Sequence, residues 1–198
     1  MENSKNATQF DLQTDLSAES IIQLIKNDEV KKIHFGALHC HSEESLRDSG
    51  LPVKKLIDVA IEMGCPSVAL TDHGVMMGVM EFMSYAKSIN EKAGKKVINA
   101  IPGVEAYKDG KHIVLLGMDY EHGYKAIIKA VTESYKHINS SNGHPHMTDE
   151  IFQTYFGPGS KGHGYVIALS GCMSGVLCKI LNSTILPSVT LLRLHIVY

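Results

Sequence analysis

Short apolar segments suited to β-strands alternate along this chain with segments whose apolar residues recur at helical spacing. Val53–Ile61 and Val79–Ala86 have the helical spacing, and Ser67–Thr71 between them is a short strand of the buried type. An alternation of strands and helices is typical of chains in which helices cover a sheet. The sequence therefore predicts an α/β fold with a mainly parallel sheet.

Local signals place the remaining elements. Ser17 and Thr148 are predicted to cap helices, and Pro52 suits a first helical turn, where its missing N–H costs nothing. The Asp-Gly pair within Lys108–Lys111 tolerates the positive φ angles of a tight hairpin turn. Further strands are predicted at Lys32–His39, Val97–Ile101, Val104–Tyr107, His112–Met118 and Tyr165–Leu169, and further helices at Tyr124–Val131 and Ser174–Leu181.

Composition excludes several classes of protein. With 19 basic and 21 acidic residues among 198, the net charge of −2 excludes a nucleic-acid binder that works by positive charge alone. No apolar run approaches the roughly 20 residues of a membrane span, and Met1–Asp15 lacks the apolar core of a signal peptide. The four cysteines form no CxxC pair. We therefore expect reduced thiols and a cytoplasmic protein.

Histidines occur where predicted strands end. His39 and His41 are two residues apart, so on a strand their imidazoles point to the same face. Asp72 and His73 directly follow the strand Ser67–Thr71. Because the carboxyl ends of parallel strands meet at one edge of a sheet, the three imidazoles are expected to share that edge. Asp72 could orient an imidazole from behind, or it could cap the following turn.

Three more residues with metal-binding side chains follow the same rule. Glu105 lies at a predicted strand exit, His112 begins the return strand of the hairpin, and Cys172 follows the last predicted strand. Alone, each has an ordinary interpretation as a solvated carboxylate, a surface imidazole or a small buried thiol. Together they form a ligand set for zinc, manganese or iron. Such metals lower the pKa of bound water towards about 7 and yield hydroxide for attack on phosphorus.

These motifs resemble the PHP (polymerase and histidinol phosphatase) domain. The matching tracts are His39-x-His41-Ser42, Thr71-Asp72-His73-Gly74 with Gly78 and Phe82, Gly103-x-Glu105, His112–Leu116 and Ala168–Cys172. They occur in the family's order and spacing over roughly residues 33–182. The tracts at 71–82 and 168–172 resemble the branch of this family that forms the N-terminal domain of the bacterial DNA polymerase III alpha subunit.

The resemblance implies a distorted (β/α) barrel, incomplete at its C-terminal end, with one to three divalent ions (Zn, Mn or Fe) at its carboxyl face. Metal-bound hydroxide is then the catalytic group, with Asp72 as a supporting residue. Asp48 matches the acidic residue that closes the first motif, although Glu43 and Glu44 are nearby alternatives. The implied ligands are His39, His41, Asp48, His73, Glu105, His112 and Cys172.

Two departures from the family pattern affect the functional interpretation. The closing Asp-x-His motif is missing downstream of Cys172, because Arg193 stands two residues before His195. The palm, fingers and thumb of a polymerase are also absent, so this chain alone is not expected to polymerise DNA. We divide it into a polar arm with a short helix (1–31), a partial PHP domain (32–182) and an atypical apolar tail (183–198). The tail is either a final buried strand or sequence foreign to the domain.

The resemblance implies phosphoester hydrolysis, with a DNA 3′ end or another phosphoester as substrate and replication proteins as further partners. Some polymerase PHP domains act as 3′–5′ exonucleases, whereas in others the domain is only structural. A non-catalytic module of a replicative polymerase, a stand-alone phosphatase of the histidinol-phosphate type and a broken gene product therefore remain alternatives. The other six histidines before the tail are interpreted as surface residues: His34, His122, His137, His144, His146 and His163.

Overall fold

A computed structural model describes residues 17–27, 35–46, 48–171 and 174–175. Within them, helices and strands alternate through the first half of the chain, which confirms the α/β class. The helices are α1 (Ala18–Lys26), α2 (Val53–Glu62), α3 (Val79–Ala93), α4 (Lys125–Ser134, preceded by a π-helical turn at Tyr120–Tyr124) and α5 (Asp149–Phe156). The strands are β1 (Ser67–Leu70), β2 (Asn99–Lys108), β3 (Lys111–Gly117) and β4 (Val166–Leu169).

The four described strands form one sheet in the order β1-β2-β3-β4. Only the β1–β2 pair is parallel, and β3 is antiparallel to both β2 and β4. The expectation of a mainly parallel sheet is therefore wrong. The hairpin explains this, because Asp109 and Gly110 adopt φ angles of 51° and 67° and return the chain directly alongside β2.

Strand β2 is longer than the sequence predicts. Residues 99–101 of the predicted strand Val97–Ile101 and all of the predicted strand Val104–Tyr107 belong to a single strand that continues through Pro102 and Gly103, whereas Val97 and Ile98 precede it. Pro102 is the last residue of β2 paired with β1, and Gly103 is the first paired with β3. The missing N–H of Pro102 therefore falls at the change between two ladders, where it costs little.

The described residues of the predicted strand Lys32–His39 form one bridge rather than a strand. Residues 32–34 lie outside the described part of the chain, and from 35 to 39 there is a single bridge between Ala37 and Val68. His39 and His41 therefore lie on a loop. Two hydrogen bonds hold this loop beside the end of β1: Cys40 N–H donates to the side-chain Oγ1 of Thr71, and Thr71 N–H donates to the Cys40 carbonyl.

The described helices pack against the sheet in two groups. Buried residues of α1, α2 and α3 pack with β1, around Ile57 and Phe82. Buried residues of α4 and α5 pack with β2 and β3, around Leu115 and Ile127. The predicted caps are confirmed, because the Ser17 side chain accepts from Ser20 N–H and the Thr148 side chain accepts from Ile151 N–H.

Some predictions lie outside the described residues. They include the arm before Ser17, most of the predicted helix Ser174–Leu181 and the apolar tail 183–198. The division into arm, domain and tail therefore stays a prediction. In the part of the chain that the structure describes, no helix has both the length and the apolar character needed to cross a membrane.

Candidate metal centre

The Glu105 carboxylate lies in the middle of a ring of four imidazoles. Its side chain is 1% exposed. Glu105 Oε2 lies 2.9 Å from His39 Nε2, 3.1 Å from His41 Nε2 and 3.4 Å from His73 Nδ1. Glu105 Oε1 lies 2.8 Å from His112 Nδ1. Five of the seven residues predicted as ligands therefore meet at one point.

Backbone hydrogen bonds bring the loop after β1 to Glu105. Glu105 N–H donates to the Asp72 carbonyl at 3.0 Å, and Gly74 N–H donates to the Glu105 carbonyl at 2.8 Å. These bonds extend the parallel pairing of β1 and β2 by one bridge, between His73 and Glu105. The chain then turns away at Gly74, whose φ is +66°.

His112 reaches the same point from the return strand of the hairpin. Glu105 pairs with Val114, and His112 lies two residues before Val114 on β3. Diagonal neighbours of this kind lie on the same face of an antiparallel pair, within reach of long side chains. The spacing between Glu105 and His112 therefore follows from the register of the hairpin.

Asp48 stands at the outer side of the cluster. Its Oδ2 lies 3.4 Å from His41 Nδ1 and 3.4 Å from His73 Nε2, and its side chain is 49% exposed. Asp48 belongs to a group of side chains that could hold a metal ion. Within the described residues, Glu43 and Glu44 belong to no such group. The groups whose ligand atoms lie within 4.8 Å of one another are His39–His41–Glu105, His41–Asp48–His73 and His73–Glu105–His112.

Mutual hydrogen bonds set the charges in the cluster. Burial opposes the charge on Glu105, but hydrogen bonds from His39 and His41 outweigh it and hold the pKa of the carboxyl well below its usual value. The bond to Glu105 in turn raises the pKa of His41, against the opposing effect of burial. Burial lowers the pKa of His73, which keeps that imidazole neutral at pH 7. Glu105 is therefore a fixed negative charge.

The donor set fits a divalent metal ion. His73 Nδ1 is buried and makes no hydrogen bond among the described residues. A buried nitrogen without a partner is costly, and a cation beside it would remove that cost. Four imidazoles and two carboxylates are also the ligand types that zinc, manganese and iron take.

Asp72 supports the loop of the first motif and does not contact an imidazole directly. It is buried, and its carboxylate accepts from Ser42 N–H at 2.6 Å, Ser42 Oγ at 2.8 Å and Ser45 Oγ at 2.9 Å. Of the two roles considered for Asp72, orientation of an imidazole is therefore possible only through Ser45, whose Oγ lies 3.1 Å from His41 Nδ1.

Ser45 fixes the tautomer of His41. The single hydroxyl proton of Ser45 is donated to Asp72, so Ser45 Oγ can only accept from His41 Nδ1. In the protonated imidazole both nitrogens donate, Nδ1 to Ser45 and Nε2 to Glu105. In the neutral imidazole that a metal requires as a ligand, the proton stays on Nδ1 and the lone pair is on Nε2. That Nε2 faces Glu105 and His39, where a metal ligand is required. Sequence reasoning missed Ser45, because a serine four residues after a histidine carries no specific signal.

Replacing Ser45 with alanine is expected to weaken metal binding by about 10- to 100-fold, because His41 loses the partner that fixes its tautomer and orientation. Titration of the metal-stripped chain with Zn²⁺ or Mn²⁺ measures this change. Ser88→Ala is the matched control, since Ser88 Oγ donates to a backbone carbonyl within α3. Equal affinities for the two variants would exclude this role for Ser45.

The other predicted residues have different outcomes. Cys172 and His34 lie outside the described residues. His137 and His163 are exposed, as expected for surface residues. His144 is exposed too, which confirms its interpretation as a surface residue, whereas His146 is half-buried. His144 stacks on Tyr107 with ring centroids 4.2 Å apart, Tyr107 also stacks on His73 at 5.9 Å, and His146 lines the same pocket.

Comparison with known proteins supports the family resemblance. A family model described as the PHP domain matches residues 37–190. DNA polymerase III subunit alpha of Chlamydia trachomatis is 31% identical over 161 residues, which are 72% of this chain and 11% of that protein. The Borreliella burgdorferi subunit is 30% identical over 162 residues, covering 74% of this chain and 13% of that protein.

Among solved structures, an amidohydrolase from Chromobacterium violaceum is 28% identical, with a TM-score of 0.40 over 51% of this chain and 33% of that protein.

The aligned part of this chain spans 11% and 13% of the length of the two polymerase subunits. The family match extends over more than three quarters of the sequence and includes His39, Glu105 and His112. This chain belongs to the PHP domain family and is related to the N-terminal region of DNA polymerase III alpha subunits.

Proposed function

We propose that this chain is a metal-dependent phosphoesterase. The observation that carries the proposal is the convergence of four imidazoles on the buried Glu105 carboxylate, with Asp48 at the rim. The side chains that would hold one or two ions are His39, His41, Asp48, His73, Glu105 and His112, with Cys172 as a further ligand implied by the family resemblance.

Divalent ions bound here would lower the pKa of water and neutralise charge on phosphate oxygens. The residues of the chain prepare the site for this chemistry. Glu105 holds a permanent negative charge that attracts cations, and Ser45 keeps the His41 Nε2 lone pair directed into the cluster. Asp48, which is half exposed, lies closest to solvent and marks the side from which a substrate enters.

The proposed substrate is a phosphodiester at the 3′ end of DNA, cleaved in the manner of a 3′–5′ exonuclease. Support comes from the relatives, which are subunits of a DNA polymerase. Replication proteins are proposed partners for the same reason. We do not propose polymerase activity for this chain.

The proposal is tested by hydrolysis assays on the chain after metal removal and reloading with Mn²⁺, Zn²⁺ or Fe²⁺. We expect metal-dependent cleavage of bis(p-nitrophenyl) phosphate and of a labelled single-stranded DNA. The double substitution His41→Ala and His73→Ala should reduce both rates at least about a hundredfold, because each imidazole belongs to two of the three donor groups. His163→Ala, in an exposed loop, is the control.

Each contrary result identifies a different alternative. A chain that binds metal, loses thermal stability in the double variant and cleaves nothing would be a structural module. Faster hydrolysis of a phosphomonoester than of DNA would indicate a phosphatase of the histidinol-phosphate type. A chain that aggregates before any measurement would support a broken gene product.

A further inference from the structure

A polar pocket of about 200 Å³ lies beside the metal cluster and shares His112 with it. This volume is several times the roughly 30 Å³ that one water molecule occupies in the liquid. The loop of residues 138–147 forms its outer wall. Its lining includes Tyr107, His112, Asn139, Asn142, His144 and His146.

Internal hydrogen bonds hold the wall of this pocket in one conformation. The Asn139 carbonyl accepts from Asn142 N–H and Gly143 N–H, and Asn139 N–H donates to the His144 carbonyl. Asn139 Oδ1 accepts from Ser141 N–H at 3.0 Å, and Asn142 Oδ1 accepts from His144 N–H at 3.0 Å. The loop is therefore a closed turn in which both asparagine side chains are held by their oxygens.

Those bonds leave the pocket with hydrogen-bond donors. The Oδ1 atoms of Asn139 and Asn142 are used within the loop, whereas their Nδ2 groups have no partner among the described residues. His144 and His146 each carry one N–H as neutral imidazoles, whereas His112 Nδ1 lies 2.8 Å from Glu105 Oε1. The Tyr107 hydroxyl supplies a further O–H donor. The described lining residues include no carboxylate. Such a surface is suited to an anion with several acceptor oxygens.

Direct packing fixes the distance from the pocket to the metal cluster. The Tyr107 ring lies between His144 and His73, with both ring pairs nearly parallel. Pro145 is buried, and a Cβ atom added to Gly74 would lie 3.1 Å from Pro145 Cγ. The loop therefore packs directly against the backbone that carries His73.

We propose that this pocket binds a second phosphate of the substrate whose reacting phosphate lies at the metal cluster. The inference rests on the proposed function and makes its substrate class more specific. A small phosphomonoester has a single phosphate and leaves the pocket empty, whereas an oligonucleotide presents a neighbouring phosphate on the same chain. The pocket therefore selects a nucleic-acid strand.

Binding of fluorescein-labelled tetrathymidylate to the metal-free chain, followed by fluorescence anisotropy, tests this inference without requiring turnover. Asn142→Asp retains the Oδ1 acceptor for His144 N–H but replaces the Nδ2 donor with a charged oxygen. We expect Asn142→Asp to bind at least about tenfold more weakly, the loss expected for a charge-assisted hydrogen bond. His144→Ala should also bind more weakly, and inorganic phosphate should compete with the strand.

Gln153→Glu is the matched control, because it makes the same change of charge on an exposed position of α5. Its affinity should stay within about twofold of the unsubstituted chain. Equal weakening in Asn142→Asp and Gln153→Glu would show a general charge effect and overturn the inference. Unchanged affinity in Asn142→Asp, or no binding of the strand to the unsubstituted chain, would overturn it as well. If the unsubstituted chain binds the strand but hydrolyses no phosphoester when loaded with metal, the result contradicts the proposed function and leaves the phosphate pocket in place.

Discussion

Replacing Glu105 with glutamine is expected to reduce metal affinity and phosphoester hydrolysis by more than about a hundredfold while the chain stays folded. Glu105 belongs to two of the three donor groups and, in the described part of the chain, is the carboxylate within reach of all four imidazoles. Replacing residues that merely support metal ligands costs 10- to 100-fold in many sites, so loss of a shared ligand should exceed that range. Metal content, hydrolysis rate and thermal melting of the same preparation measure the three effects.

Glu91→Gln is the control for Glu105→Gln. Glu91 is an exposed residue of α3 whose partner is Lys87, and surface ion pairs of this kind contribute little to stability. This variant should therefore keep the metal content and hydrolysis rate of the unsubstituted chain. Near-normal metal content in Glu105→Gln would contradict a central role for this carboxylate.

Asp72→Asn is expected to lower the free energy of unfolding of the metal-free chain by about 3 kcal/mol or more. The carboxylate accepts three hydrogen bonds from Ser42 and Ser45, and each bond to a buried charge is worth more than an ordinary one. In the variant, an NH₂ group replaces one carboxylate oxygen and would face an N–H or O–H donor of Ser42 or Ser45. Urea denaturation measures the loss, and the loosened loop should also weaken metal binding.

Asp58→Asn is the matched control for Asp72→Asn. Asp58 is also buried, but the hydrogen bond that its side chain accepts from the hydroxyl of Tyr85 can still be accepted by an asparagine oxygen. We expect this variant to lose about 1 kcal/mol or less. Equal losses in the two variants would mean that Asp72 has no special part in holding the first motif.

Much of the fold was predictable because its signals are local. Ser17 and Thr148 cap helices as predicted, and Gly94 ends α3 in the left-handed conformation. The Asp109-Gly110 pair forms the predicted hairpin turn. The predicted hairpin already implies one antiparallel pair, but the neighbour of β4 depends on contacts between residues far apart in the sequence. Its antiparallel pairing with β3 makes the sheet mixed rather than mainly parallel.

The candidate site was predictable from residue types at strand ends, although one structural reason for it was wrong. His39 and His41 do not lie on a strand, and they reach the cluster because Thr71 holds the neighbouring Cys40 backbone. The roles of Ser45 and Asn142 depend on contacts between separate loops. Periodicity and spacing carry no information about such contacts.

The most direct measurement of the central claim is binding of Zn²⁺ or Mn²⁺ to the metal-stripped chain, by equilibrium dialysis with metal analysis. NMR of ¹⁵N-labelled histidines in the same chain, titrated with Zn²⁺, identifies the imidazoles that bind. We predict at least one retained ion per chain and coordination shifts for His39, His41, His73 and His112. Dialysis that removes all metal, or shifts confined to His122, His137 and His163, would contradict the account.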